Sequence, residues 1–230
     1  MRIKTKTTYD NYNTATECNY DEEGRIILKR QFNRFNLIDQ TSYEYDENNI
    51  IHEKTDRNEI YSTVDSHGNI IHEKIVSIND GSVEEKSYHY DYDNHGNITH
   101  YEDSNGEEVY YHYKYDDNGN MIKKLSTDGS GPQSYKYDEN GRLIYHTFPY
   151  YNGIEIDEAY NEYEYDEHGN CISIESGSCW QGEKSSKDDK TLYEYDEYGN
   201  CILEKTEKED ITGLMYCSYI VKHDYEYYDD

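Results

Sequence analysis

Residues Tyr163–Ile172 read YEYDEHGNCI, and Tyr193–Ile202 read YEYDEYGNCI, the same phrase with His168 exchanged for Tyr198. Alternation puts Tyr163 and Tyr165 on one face of a strand and Glu164 on the other. Asp166 then opens a turn, because its carboxylate can accept bonds from backbone amides two or three residues on. Gly169 supplies the positive φ of a type I turn followed by a bulge. Asn170 and Ile172 begin the return strand. The phrase is a β-hairpin.

The same unit, aromatic-x-Tyr-Asp-x-x-Gly-Asn/Arg-x-Ile, recurs along the chain. It appears as NYDEEGRII (Asn19–Ile27), YEYDENNII (Tyr43–Ile51), TVDSHGNII (63–71), YDYDNHGNIT (90–99), YKYDDNGNMI (113–122) and YKYDENGRLI (135–144), which with the two quoted copies makes eight. The glycines Gly68, Gly96, Gly119, Gly141, Gly169 and Gly199 are spaced 28, 23, 22, 28 and 30 residues apart. No window carries an apolar i, i+3, i+4, i+7 stripe, so no helix is predicted. A hairpin cannot bury its face alone, so the copies are expected to stack side by side, one rung each. The expected turn residues are Asp21, Gly24, Asp93, Gly96, Asp116, Gly119, Asp138, Gly141, Asp166, Gly169, Asp196 and Gly199. Val64 stands where a Tyr belongs and Asn49 where a Gly belongs, so an irregularity is expected near residues 49–65.

These residues resemble the YD repeat, also called the RHS (rearrangement hotspot) repeat, from about Asn19 to Ile202 and on toward the tail HDYEYYDD. The resemblance implies a wound strip of antiparallel hairpins, which in large relatives such as polymorphic toxins, insecticidal toxin complexes and teneurins closes into a hollow shell. Those shells use many more repeats than eight, so the expectation here is an all-β, curved repeat sheet over residues 1–230, a single array with no closed shell. Two insertions interrupt it, TFPYYNGIEIDEAYN (147–161) and GSCWQGEKSSKDDK (177–190).

The chain has 30 Tyr, 3 Phe and 1 Trp, so its core should be thin and amphipathic, because each phenol needs a partner or water. Low hydropathy and high charge also mark disorder, but tyrosines in register do not. Fifty acids against 22 bases give a net charge of −28. That field repels nucleic acid and anionic membranes and would steer a basic protein toward the chain. It also keeps a tyrosine-rich sheet soluble. MRIKTKTTYDNYN lacks the apolar core of a signal peptide, and no stretch is long and apolar enough for a transmembrane helix. Cys18, Cys171, Cys179, Cys201 and Cys217 form no CxxC pair and read as reduced thiols of a cytoplasmic protein.

No catalytic machinery is legible. GSCW (177–180) matches the core of a papain-type signature, but His223 is the only histidine after it and the flanks read as strand and loop. DYDNHGNITHYE (Asp91–Glu102) approaches a calcium loop, yet His95 holds an oxygen-ligand position and no helices flank it. His67, His95 and His168 share a turn slot, and Cys171 and Cys201 a return-strand slot; both are ordinary repeat positions before they are metal ligands. The insertions carry Tyr150, Tyr151 and Trp180, residue types that anchor interfaces. The expectation is therefore a non-enzymatic acidic binding protein without cofactor or metal. It would neutralise or accompany a basic protein, in the manner of an immunity protein for a toxin domain. The alternatives are a carbohydrate-binding or adhesion module, or a strip that self-associates through open sheet edges.

Overall fold

The computed structural model describes residues 2–10, 13–34, 36–46, 50–151, 156–180, 183–209 and 215–228. They form two compact units, residues 1–108 with 221–230, and residues 109–220. The strands are β1 (Ile3–Asp10), β2 (Thr14–Tyr20), β3 (Ile26–Asn33), β4 (Asn36–Tyr45), β5 (Ile50–Lys54), β6 (Asn58–Val64), β7 (Ile70–Ser77), β8 (Val83–Tyr92) and β9 (Ile98–Asp103). They continue as β10 (Glu108–Tyr115), β11 (Met121–Ser126), β12 (Gln133–Tyr137), β13 (Leu143–Tyr151), β14 (Ile156–Tyr165), β15 (Cys171–Trp180), β16 (Glu183–Lys184), β17 (Asp189–Tyr195), β18 (Cys201–Glu209) and β19 (Met215–Tyr227).

Each quoted repeat is a hairpin, as its alternation predicts. In YEYDEHGNCI, the Asp166 carboxylate accepts from the amides of His168 at 2.9 Å and Asn170 at 2.8 Å, while Gly169 N–H donates to the Asp166 carbonyl at 3.2 Å. The six turn glycines Gly24, Gly96, Gly119, Gly141, Gly169 and Gly199 all take positive φ, from 78° to 88°. The Asn/Arg slot has one role with two side chains. Asn170 Nδ2 donates to its own Asp166 at 2.9 Å, and Arg142 Nε to its own Asp138 at 2.7 Å. The same turn also occurs where no YD copy stands: Asp103 receives Asn105 N–H and Glu107 N–H, both at 2.9 Å, with Gly106 closing it.

The bulge expected after the glycine falls on the last Ile of the motif. Tyr165 faces Cys171, whereas Glu164 faces Ser173, so Ile172 is the extra residue; Ile27 and Ile122 occupy the same place in their hairpins. These isoleucines are among the exposed large apolar residues. A bulge takes a carbonyl out of the regular ladder, and the next hairpin supplies its donor. Tyr165 OH donates to Leu143 O at 2.7 Å, Tyr195 OH to Cys171 O at 2.6 Å, Tyr137 OH to Met121 O at 2.8 Å and Tyr45 OH to Ile26 O at 2.8 Å. Where Val64 replaces the motif tyrosine, the following Tyr92 OH bonds the Asp65 carboxylate instead. The irregularity expected near 49–65 is the loss of this bulge: β4 and β5 pair in unbroken register from Ser42–Lys54 to Tyr45–Ile51. Asn49 lies outside the described residues.

Along the strands, the motif tyrosines lie on the half-buried face, while Glu44, His112, Lys114, Lys136, Glu164 and Glu194 between them are exposed. Rings pack along that face, Tyr111 on Tyr113 at 6.4 Å and Tyr90 on Tyr101 at 5.6 Å. Among the described residues buried side chains are few and partly polar, among them Tyr160, Val109, Val221, Thr41, Ser62 and Ser173. The expected thin, amphipathic core is what such rings produce.

The open strip is the expectation that fails. β19 pairs antiparallel with β1 from Ile3–Tyr227 to Asp10–Val221, and β1 pairs on its other side with β2. The first strand thus has a neighbour on each side, so the sheet closes onto its first strand and does not end there in an open edge. Thr8 faces His223 across the closing pair, and its Oγ1 lies 2.9 Å from Nδ1. The Tyr228 phenol donates to Tyr20 O at 2.6 Å. Repeat counting misled here because closure depends on how many strands pair, and the segments between motifs contribute strands of their own. Open terminal edges, the expected route to self-association, are absent from this closing pair.

Two predictions follow from the hydrogen bonding. Tyr165→Phe and Tyr195→Phe each leave a part-buried carbonyl without its donor and are expected to cost about 1–2 kcal/mol in urea denaturation. Tyr150→Phe, on an exposed ring, should stay within about 0.5 kcal/mol. Burial pushes the phenols of Tyr92, Tyr160 and Tyr193 up to about 12. Raised values favour the fold below the ordinary tyrosine pKa of about 10, so stability should fall as pH rises from there through about 12. Amide donors from Asn120 and Asn170 hold Asp116 and Asp166 below the usual carboxylate range. Their contribution is present above about pH 4 and should be lost as pH falls further. Urea midpoints measured across pH test both limbs.

Candidate functional site

The second insertion folds back onto the sheet beside β14 and β15. Lys184 pairs with Cys179 in the ladder, and the amides of Ser185 and Ser186 donate to Ser178 O at 2.9 and 3.3 Å. The Lys184 ammonium stands 4.8 Å over the Tyr160 ring and 5.8 Å over Tyr145, and it bonds Glu162 at 2.5 Å. Lys187 bonds Glu175. Beneath this cover Tyr160 is 1% exposed, and its phenol donates to Ser186 O at 3.2 Å. Gly177 makes the approach feasible: a Cβ there would lie 2.1 Å from the Ser186 carbonyl oxygen.

The chemistry of this cluster is packing. Cys179 is buried, and its Sγ meets the Tyr145 hydroxyl at 3.5 Å. Burial, then Cys179, push the Tyr145 phenol up and keep it protonated. GSCW lies within β15 and not at a helix N-terminus, so the papain-like tetrapeptide is a strand segment. All five cysteines are free thiols in the structure. The calcium-like stretch is equally plain: Asp91 and Glu102 lie on paired strands, and Asp93 is occupied by the amides of His95 and Asn97. Of the turn histidines, His67 stacks on Tyr92 at 3.9 Å, while His95 and His168 are exposed. Among the described residues, none of the three belongs to a metal-competent cluster.

Of the expected interface residues, Tyr150 is 40% exposed on β13, opposite Asp157. Tyr151 and Trp180 are placed in strands, but their side chains lie outside the described residues. A feature that sequence reasoning missed stands at the turns of the second unit. There the residue after each motif aspartate is an exposed acid: Asp117, Glu139, Glu167 and Glu197. Antiparallel hairpins in series bring these four turns to one end of the unit's strands, separated by about 10 Å per two-strand step. Each is followed by an exposed residue, Asn118, Asn140, His168 or Tyr198. The signal was in the sequence, as the letter after each YD, but only the strand order aligns these letters into a row.

A family model for the teneurin YD-shell matches residues 4–223. The chain belongs to the teneurin YD-shell family. The match bears out the YD/RHS-type repeat read from the motif. Among solved structures, this YD-shell chain is similar to a porin-like protein from Bacteroides uniformis at 9% identity and a TM-score of 0.48, over 97% of this chain and 98% of that one. A porin-like protein from Bacteroides vulgatus matches at 13% identity and a TM-score of 0.43, over 98% and 99% of the two chains. A crystal structure of TcdB2-TccC3-Cdc42 matches at 14% identity and a TM-score of 0.30; it covers 94% of this chain, which spans 14% of that one. At these TM-scores the structural likenesses carry no functional argument. No curated protein matches the chain.

Gly177→Ala tests the fold-back. The added methyl meets backbone, so the variant should lose about 1–3 kcal/mol, as overpacked sites do. Trypsin should then cut after Lys184 and Lys187 faster than in the wild type, while cleavage elsewhere stays unchanged.

Proposed function

We propose that this chain is a non-enzymatic binding protein whose acidic turn row receives a basic segment of a protein partner. The observation that carries this reading is the row itself, Asp117, Glu139, Glu167 and Glu197, on a chain of net charge −28. Intramolecular pairing does not consume the surplus. Twelve lysines and arginines among the described residues have carboxylate partners, and none of those partners is Asp117, Glu139, Glu167 or Glu197. Carboxylates at a pitch of about 10 Å suit an extended or helical segment with recurrent Lys or Arg, and their summed field speeds its encounter. Neutralising a basic toxin domain, the immunity-like role, is one form this reading takes.

The carbohydrate reading rested on an exposed tyrosine ladder, and the motif tyrosines lie on the half-buried face.

The test is capture from native cells at low salt with the wild type and with the D117N/E139Q/E167Q/E197Q variant. A basic protein retained by the wild type, shed at about 0.5 M salt where surface attraction is screened, and absent from the variant is the expected result. Equal capture by both chains, or capture indifferent to salt, refutes the acidic-row reading.

A further inference from the structure

The β8–β9 hairpin carries a second constellation, on the first unit and unrelated to the acidic row. His89 and Asp91 alternate on β8, so both project from one face, and in the ladder Asp91 stands opposite His100 and His89 opposite Glu102. His89 Nε2 lies 3.5 Å from Asp91 Oδ1, and His100 Nδ1 lies 3.3 Å from Asp91 Oδ2. One ligand atom from each of the three residues can be chosen so that all lie within 4.8 Å of one another. The two imidazoles meet at 69° with centroids 6.1 Å apart, so they converge on a point instead of stacking.

We propose that His89, Asp91 and His100 bind a divalent transition-metal ion, zinc being the chemically natural one. Zinc holds imidazole nitrogen and carboxylate oxygen at about 2.0–2.2 Å in a tetrahedron, which places neighbouring ligand atoms about 3.3–3.6 Å apart. The separations from His89 and His100 to Asp91, one to each carboxylate oxygen, fall in that range. Two nitrogens and one carboxylate select a borderline ion over calcium or magnesium, which take oxygen. The hairpin fixes the set before any ion arrives, since cross-strand register positions Asp91 and His100 and strand alternation positions His89. Glu102 and Glu108 bring carboxylate oxygens within 4.8 Å of a His100 ring nitrogen, and a carboxylate is the group that orients metal-bound histidines. Three protein ligands leave a fourth position for water or for one of these carboxylates.

The experiment is calorimetric titration of the full chain with zinc ion alone, repeated with Co²⁺ followed by its visible absorption. A single saturable site is expected, with Co²⁺ bands typical of nitrogen and oxygen ligation, unaffected by millimolar Ca²⁺. His89→Ala and His100→Ala should each weaken binding at least about tenfold, while His95→Ala at the neighbouring turn should not. Should either variant misfold by circular dichroism, the wild type still decides: paramagnetic Co²⁺ must broaden the ring signals of His89 and His100 before those of other histidines. Binding unchanged in both variants, broadening elsewhere first, or only weak multi-site binding displaced by Ca²⁺ would overturn the assignment, the last marking general attraction to carboxylates.

Discussion

The structure depends on a hydrogen bond between successive repeats, from the second tyrosine of YxYD to the carbonyl that the preceding bulge leaves outside the ladder. Tyr165 on Leu143, Tyr195 on Cys171, Tyr137 on Met121 and Tyr45 on Ile26 are four instances. The turn needs a bulge to join its strands, and the bulge leaves a carbonyl in need of a donor. A phenol at the right strand position meets that need while its ring covers half-buried surface. Phe could supply the ring alone, which accounts for the chain's preference for Tyr. Val64 has no hydroxyl to donate, and in the next copy Tyr92 bonds the Asp65 carboxylate, so that rung still joins its neighbour.

The motif's other letters serve the same turn. Asp gathers two amides, Gly permits the left-handed step, and Asn or Arg returns a side-chain donor to the aspartate. Arg142 adds a second contact, its guanidinium lying 4.9 Å over the Tyr165 ring of the next rung. Because each repeat completes the polar groups of its neighbour, a core poor in aliphatic side chains still holds together. Between the motif tyrosines the exposed positions carry polar and charged residues such as Glu44, Lys114, Lys136, Glu164 and Glu194. That freedom is what a binding surface needs: the acidic row, His89 and Asp91 lie on exposed positions, with His100 half-buried beside them.

The sequence alone determined the hairpin, its turn residues, the all-β class and the YD/RHS-type repeat, because these follow from local spacing. The turn glycines Gly24, Gly96, Gly119, Gly141, Gly169 and Gly199 take the positive φ that such a turn needs. The sequence places the final isoleucine at the start of the return strand, and pairing register makes Ile27, Ile122 and Ile172 exposed bulge residues. Closure was decided only by tertiary structure: the β1–β19 pairing joins opposite ends of the chain, and no motif encodes contacts between segments so distant. The metal-competent cluster and the acidic row share this origin. His89 and His100 stand apart in sequence and meet through cross-strand register, just as Asp117, Glu139, Glu167 and Glu197 align through strand order. Local periodicity writes each rung, and hydrogen bonding between distant strands decides which side chains become neighbours.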